Sequence, residues 1–290
     1  MPDPFEALRA PADPIDPDPL FAAHLRARLV RALGLPKGVT VSDLSLDPTP
    51  PLVTDPMREG DIGYVSLWVP DLERAAAFFG QVLGWTYRPG SGAEGRQIEG
   101  VTPHHGLWGG HERGNLFLCY LVDDVAAAAD RILAAGGETR PPTSEPYGLV
   151  SGCVDNQGTP FAIYQAPADQ PATPRGPLNG HRHGDVSYVT MEVQHSAAAR
   201  AFYGAVLGWQ FSPGRVDDGW GVDGVVPMAG MHGGHEQATT LPVYRVDDIV
   251  AAVERVRALG GRSTDPDHQP YGFTVECADD QGTRFYLHQE

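Results

Sequence analysis

From residue 58 onward the hydrophobic pattern switches repeatedly between a period of two and a period near 3.6. Tyr64 to Val69 alternates and is bounded by Pro70, which predicts a strand. Asp71 stands where a helix N-cap belongs, and Ala75, Phe78, Phe79, Val82 and Leu83 then recur at helical spacing up to the C-cap glycine Gly84. Short strands punctuated by glycine and proline follow. A strand over Phe117–Val122 runs into Asp123-Asp124, and a second helix over Val125–Ala135 ends at Gly136-Gly137. Two further strands flank Asp155-Asn156-Gln157-Gly158, a hairpin turn. The order is strand, helix, three strands, and then the same again.

That whole pattern recurs. A shift of 124 residues, without a gap, lays Val82-Leu83-Gly84-Trp85 on Val206-Leu207-Gly208-Trp209. It also lays Gly109-Gly110-His111-Glu112 on Gly233-Gly234-His235-Glu236, and Pro146-Tyr147-Gly148 on Pro270-Tyr271-Gly272. Roughly four positions in ten are identical between the copies, and a unit this long is a domain rather than a solenoid repeat. The division is an N-terminal extension over 1–57, a first module over 58–166, a proline-rich linker over 167–181 and a second module over 182–290. Helices are predicted near 71–83, 124–135, 196–207 and 248–259. In the extension, Leu20, Phe21, Leu25, Leu29 and Leu33 share one face of an amphipathic helix near 19–34. That helix docks on a module or serves a partner or a homodimer.

Composition narrows the function classes. The formal charge is −16 over 290 residues, which repels phosphate backbones and argues against nucleic acid as a partner. No apolar run reaches the ~18 residues of a membrane span. The start Met1-Pro2-Asp3-Pro4 has no secretory pattern, and three cysteines without a CxxC suit reduced thiols, so the expected location is cytoplasmic.

The stretch Tyr64-Val65-Ser66-Leu67-Trp68-Val69-Pro70-Asp71, with Ala77-Phe78-Phe79 and Leu83-Gly84-Trp85, resembles the first half-motif of the glyoxalase/bleomycin-resistance/dioxygenase (vicinal oxygen chelate) superfamily. Tyr244-Arg245-Val246-Asp247-Asp248 with Gly260-Gly261 is similar to its second half-motif, and Asp279-Asp280-Gln281-Gly282-Thr283 to its closing strand. The resemblance implies an α+β fold of two tandem modules, each a pair of βαβββ units curved into a cup. It also implies a metal site, whose ligand positions fall here on Tyr64, Phe117 and Ala162 and on Tyr188, Leu241 and Tyr286. None of these is imidazole or carboxylate, so no metal and no cofactor is expected.

The strand period then assigns the cup-facing side chains. Tyr64, Ser66, Trp68, Phe117, Cys119, Leu121 and Tyr164 make an aromatic, mostly apolar first cup. Tyr188, Thr190, Glu192, Leu241, Val243, Arg245, Tyr286 and His288 make a more polar second cup. Ligand-binding candidates are Tyr64, Trp68, Phe117, Tyr164, Tyr188, Glu192, Arg245, Tyr286 and His288. Candidates for catalysis are Glu192, His288 and His235. The plainer alternative pairs Glu192 with Arg245 at the rim and leaves His288 exposed. The two Gly-Gly-His-Glu segments read as rim turns rather than metal sites, because neighbouring residues of an extended chain point to opposite faces. The expected partner is a small organic ligand. Three functions stay open: metal-independent sequestration of an aromatic or toxic compound or antibiotic; a lyase, isomerase or epimerase working in the second cup; and a structural protein with vestigial cups.

Overall fold

The structure is a computed structural model and describes residues 55–90 and 92–290. The helix expected at residues 19–34 lies outside the described residues. Thr54–Glu290 forms one compact unit that contains both modules.

The first module runs β1 (Ile62–Trp68), α1 (Leu72–Leu83), β2 (Tyr87–Pro89), β3 (Gly95–Ile98) and β4 (His104–Trp108). It continues with β5 (Asn115–Leu121), α2 (Val125–Ala134), β6 (Glu138–Thr139), β7 (Thr143–Glu145), β8 (Gly148–Val154) and β9 (Pro160–Gln165). The second module repeats this as β10 (Val186–Glu192), α3 (Ser196–Leu207), β11 (Phe211–Pro213), β12 (Gly219–Val222) and β13 (Ala229–His232). Then come β14 (Thr239–Arg245), α4 (Ile249–Ala258), β15 (Arg262–Ser263), β16 (Asp267–Gln269), β17 (Gly272–Ala278) and β18 (Arg284–Gln289). Each module is one 9-stranded sheet, ordered β2-β3-β4-β1-β5-β9-β8-β6 with β7 on β8, and likewise in the second copy. The two βαβββ halves of a module join through the antiparallel pairs β1–β5 and β10–β14.

All four helices stand where the periodicity places them. Asp71, Asp124 and Asp248 are N-caps whose carboxylates accept from backbone N–H groups one turn on. Gly84 and Gly208 close α1 and α3 in the left-handed region, at φ 66° and 70°, where a side chain would be strained. The fourth cap position holds His195, which makes no side-chain cap bond.

The modules pack through their helix-bearing faces. α1 lies beside α4 and α2 beside α3, and a single hydrophobic core runs through both copies. Phe79 of α1 reaches Tyr244 and Phe285 of the second module, while Phe202 and Tyr203 of α3 reach Phe161 of the first. Polar contacts across the junction come in reciprocal pairs offset by the repeat. Trp85 Nε1 donates to Gly184 O at 3.1 Å and Trp209 Nε1 to Gly60 O at 3.0 Å. Gln281 closes two bonds on the backbone of Asp71, and Gln157 does the same on His195. The junction is therefore the self-complementary contact of a twofold dimer, built within one chain. With the helices inside, the concave faces of both sheets point outward.

Candidate functional site

The strand register puts the expected side chains on the concave faces. In the first module Tyr64 stands opposite Cys119, Cys119 opposite Ala162, Ser66 opposite Phe117, and Leu121 opposite Tyr164. The alternate residues Val65, Leu67, Leu118 and Tyr120 face the helices and are buried in the core. Cys153 and Cys277 also lie in that core, and all three cysteines are free.

The first cup is lined by rings. Trp68 is held between His111, at 4.1 Å and 5° between planes, and Phe117, at 4.9 Å and 15°. His111 arrives on the Gly109-Gly110 turn, with Gly110 at φ 80°. The hydroxyl end of Tyr64 reaches over Gly106, where an added Cβ would sit 2.2 Å from its oxygen. Tyr164 covers Gly63 in the same way. The polar groups of this cup stay neutral at ordinary pH. Burial pushes the Tyr64 phenol and the Cys119 thiol each up to about 12, raises Tyr164 further, and pulls the His111 imidazole down. The buried hydroxyl of Ser66 has no hydrogen-bond partner among the described residues.

The second cup differs from the sequence expectation. Glu192, Arg245 and His288 do not form one group. Glu192 ends β10 opposite Thr239 at the start of β14, whereas Arg245 ends β14 beside His288 of β18. Six residues of strand separate the two levels, about 20 Å. The pairing of Glu192 with Arg245 is likewise corrected: Arg245 pairs with Glu290 at 3.1 Å. Glu192 is held by Arg284 through two parallel bonds of 2.7 and 2.8 Å, and Arg284 also grips Glu276. These carboxylates raise the Arg284 guanidinium above its usual range. His288 is buried rather than exposed, and its Nε2 lies 3.0 Å from the carbonyl of Tyr271. His235 stands with Nδ1 3.6 Å from Glu192 and Nε2 2.9 Å from His232 Nδ1. The two Gly-Gly-His-Glu turns thus do equivalent jobs, each setting its histidine against the last residue of the module's first strand.

Arg284 and Glu276 escaped the sequence reading as site residues, and His232 was read only with the His235 loop as part of a rim turn, although a signal was present. They match Pro160, Gly152 and Trp108 of the first copy, so each is an ionisable residue gained or lost since duplication. Tyr188 and Tyr286 flank Val243 on the cup floor, with Tyr188 lying over Gly230 as Tyr64 lies over Gly106.

Each sheet is one pair of βαβββ units with a concave floor at the join of the halves, and the chain carries two such modules in tandem. Residues 61–163 match the Glyoxalase/Bleomycin resistance protein/Dioxygenase superfamily and residues 188–288 the Glyoxalase-like domain. The chain belongs to that superfamily as a tandem two-module member. Comparison with curated proteins gave no match. Among solved structures the chain is similar to the 2,3-dioxygenase LapB from Pseudomonas sp. KL28, at 15% identity and TM-score 0.61, over 81% of this chain and 93% of that one. It is similar to the Mn(II)-bound glyoxalase from Novosphingobium aromaticivorans, at 18% identity and TM-score 0.61, over 80% and 83%. It is also similar to 2,2',3-trihydroxybiphenyl 1,2-dioxygenase from Sphingomonas wittichii strain RW1, at 16% and TM-score 0.59, over 80% and 91%. At these identities the likeness is one of fold.

A divalent metal of the kind held by the Mn(II)-bound relative does not fit the floor of either cup. The family's ligand positions converge on adjacent strands, but carry Tyr64, Phe117 and Ala162 in one copy and Tyr188, Leu241 and Tyr286 in the other. Burial raises the phenols of Tyr64, Tyr188 and Tyr286, so none offers a phenolate near neutral pH, and the other three side chains have no donor atom. No step below is routed through a metal. No helix among the described residues is long and apolar enough to cross a membrane.

Proposed function

We propose that this protein binds a small, flat, uncharged aromatic compound in its first cup and withdraws it from solution, without a metal. The carrying observation is the parallel stack of His111, Trp68 and Phe117 on a concave floor whose other polar groups are neutral. Offset ring stacking contributes about 0.5–1.5 kcal/mol beyond area burial, and a dry floor without fixed charge penalises ionised ligands. The His111 imidazole covers one face of Trp68 on a glycine-hinged turn, which gives a ligand ring a face to occupy when the histidine swings aside.

The test is titration with 2-naphthol, naphthalene and 2-naphthoate, read by tryptophan fluorescence and calorimetry, on protein treated with a chelator. The neutral compounds bind and the carboxylate does not. Trp68→Ala weakens binding about tenfold or more, corresponding to roughly 1.4 kcal/mol. Binding lost on chelation, or unchanged in Trp68→Ala, defeats the proposal.

A further inference from the structure

Six matched concave positions carry an acid, a cation or a histidine in the second copy and none of these in the first; two of them, Arg245 and His288, lie together at the far end of the cup, and the other four lie together at the near end. Trp68, Trp108, Gly152 and Pro160 of the first module stand where the second has Glu192, His232, Glu276 and Arg284. The structure gathers these four ionisable residues at one end of the second cup, around His235, the histidine both copies retain.

The chain of contacts has a direction. Arg284 occupies both oxygens of Glu192, and Glu276 fixes Arg284 from the other side at 2.9 and 3.1 Å. Glu192 is 7% exposed, so its carboxylate is held in place by Arg284 and screened from a ligand. His235 Nδ1 faces that carboxylate at 3.6 Å, which favours the proton on Nδ1. Its Nε2 is then a lone pair and accepts from His232 Nδ1–H at 2.9 Å. His232 is left with its lone pair on Nε2. His232 pairs with Glu192 across β10 and β13, which puts it on the concave face, and it is only half-buried. Asp218 and Arg200 also lie on this side, the Asp218 carboxylate being engaged by Ser196 and Trp220 and the Arg200 guanidinium stacked on Trp220. His288 is buried at the other end of the cup, beside Arg245, and lies outside this chain of contacts.

We propose that His232 is a general base opening on the second cup, with His235 and Glu192 as positioning residues, and that it acts on a carbon acid. In that step the substrate C–H proton moves to Nε2 of His232. The electron pair stays on the substrate and expels or delocalises onto an electronegative atom. The positive charge gained by the imidazole pair is met by Glu192. This activity shares no residue with the first-cup binding face, so it stands or fails independently of that reading.

The probe is 5-nitrobenzisoxazole with the full chain. Loss of its ring C–H proton breaks the N–O bond and releases a coloured cyanophenolate in one balanced step. The protein is expected to accelerate this ring opening above buffer, with a rate that rises with pH to a plateau. His232→Gln is expected to lower the plateau by about a hundredfold. Glu192→Gln is expected to move the rising limb to lower pH while keeping most of the plateau, which a merely structural role would not do. His268→Ala, an exposed histidine elsewhere on the second module, is expected to change nothing. Thermal unfolding of His232→Gln checks that the fold is intact, and nitrogen shifts of the imidazoles read the Nδ1–H form of His232 directly. No acceleration by the wild-type chain overturns the proposal. So does a rate unchanged in His232→Gln, a pH limb unmoved in Glu192→Gln, or an equal loss in His268→Ala.

Discussion

Phe79→Tyr should stabilise this protein, and the reason is visible by comparing its two halves. The turn before β9 holds Asp155, whose Oδ1 accepts from the backbone N–H groups of Gln157 and Thr159, each at 2.8 Å, and whose Oδ2 accepts from Tyr203 of α3 at 3.0 Å. The matching turn holds Asp279, whose Oδ1 accepts from Gln281 at 2.9 Å and Thr283 at 2.7 Å. Its Oδ2 is buried and has no partner among the described residues. The position matching Tyr203 is Phe79, fully buried against Phe285. Burial raises the Asp279 carboxyl above its usual range. A hydroxyl added at Phe79 is aimed at that oxygen by the same geometry that serves Asp155. A hydrogen bond to a charged group contributes about 1.5–3 kcal/mol. For a chain of this size that is a rise in Tm of about 3–10 °C. The pH dependence has a definite sign. A carboxyl whose pKa is raised by folding costs stability as pH rises from its unfolded value through its folded value. The gain from Phe79→Tyr is therefore largest near neutral pH and fades once Asp279 is protonated in both states. Urea and thermal unfolding of wild type, Phe79→Tyr and Tyr203→Phe across that range measure it. An unchanged or lowered Tm for Phe79→Tyr at pH 7, or a gain that does not vary with pH, refutes the reasoning.

Two other perturbations follow from buried polar groups. His105 is fully buried, with Nδ1 2.8 Å from Gly106 O and Nε2 2.9 Å from the Tyr244 hydroxyl, and burial pulls its pKa from 6.5 down to about 3. Folding favours the neutral ring, so its contribution is whole above 6.5 and is lost as pH falls below it; at pH 5 the loss is about 2 kcal/mol. In His105→Ala, the residue that Ala229 supplies in the second copy, the acid slope of unfolding free energy between pH 6.5 and 5 should flatten, and an unaltered slope would count against the buried neutral imidazole. Arg284→Leu leaves Glu192 buried without its cation and should cost about 3 kcal/mol in urea unfolding, whereas Glu192→Leu with Arg284→Leu should cost less than half as much. Equal losses in the single and double variants would mean the pair is not what Glu192 depends on.

The copies show how duplication separates roles. The junction contacts are reciprocal, from the tryptophans Trp85 and Trp209 to the glutamines Gln157 and Gln281, because each copy must still present the surface the other packs on. The cups face away from that junction and carry no such constraint. There the same backbone position holds Trp68 stacked on His111 in one copy and Glu192 beside His235 in the other.

Much of this molecule was legible in its sequence. The gapless 124-residue shift, the caps at Asp71, Asp124 and Asp248, and the glycines ending α1 and α3 determined the helices, because capping and helical periodicity are local. The period of two determined which side chains face each cup and which face the helices, because a strand alternates whatever it pairs with. It did not determine which end of the cup a residue occupies. That depends on the antiparallel register of β10 and β14, which sets Glu192 and Arg245 at opposite ends, and on β18 lying beside β14, which brings Arg284 to Glu192. The same holds for His105 meeting Tyr244 and for Tyr203 meeting Asp155. These partners are 139 and 48 residues apart, and only the packing of the two modules against each other brings them within hydrogen-bond distance.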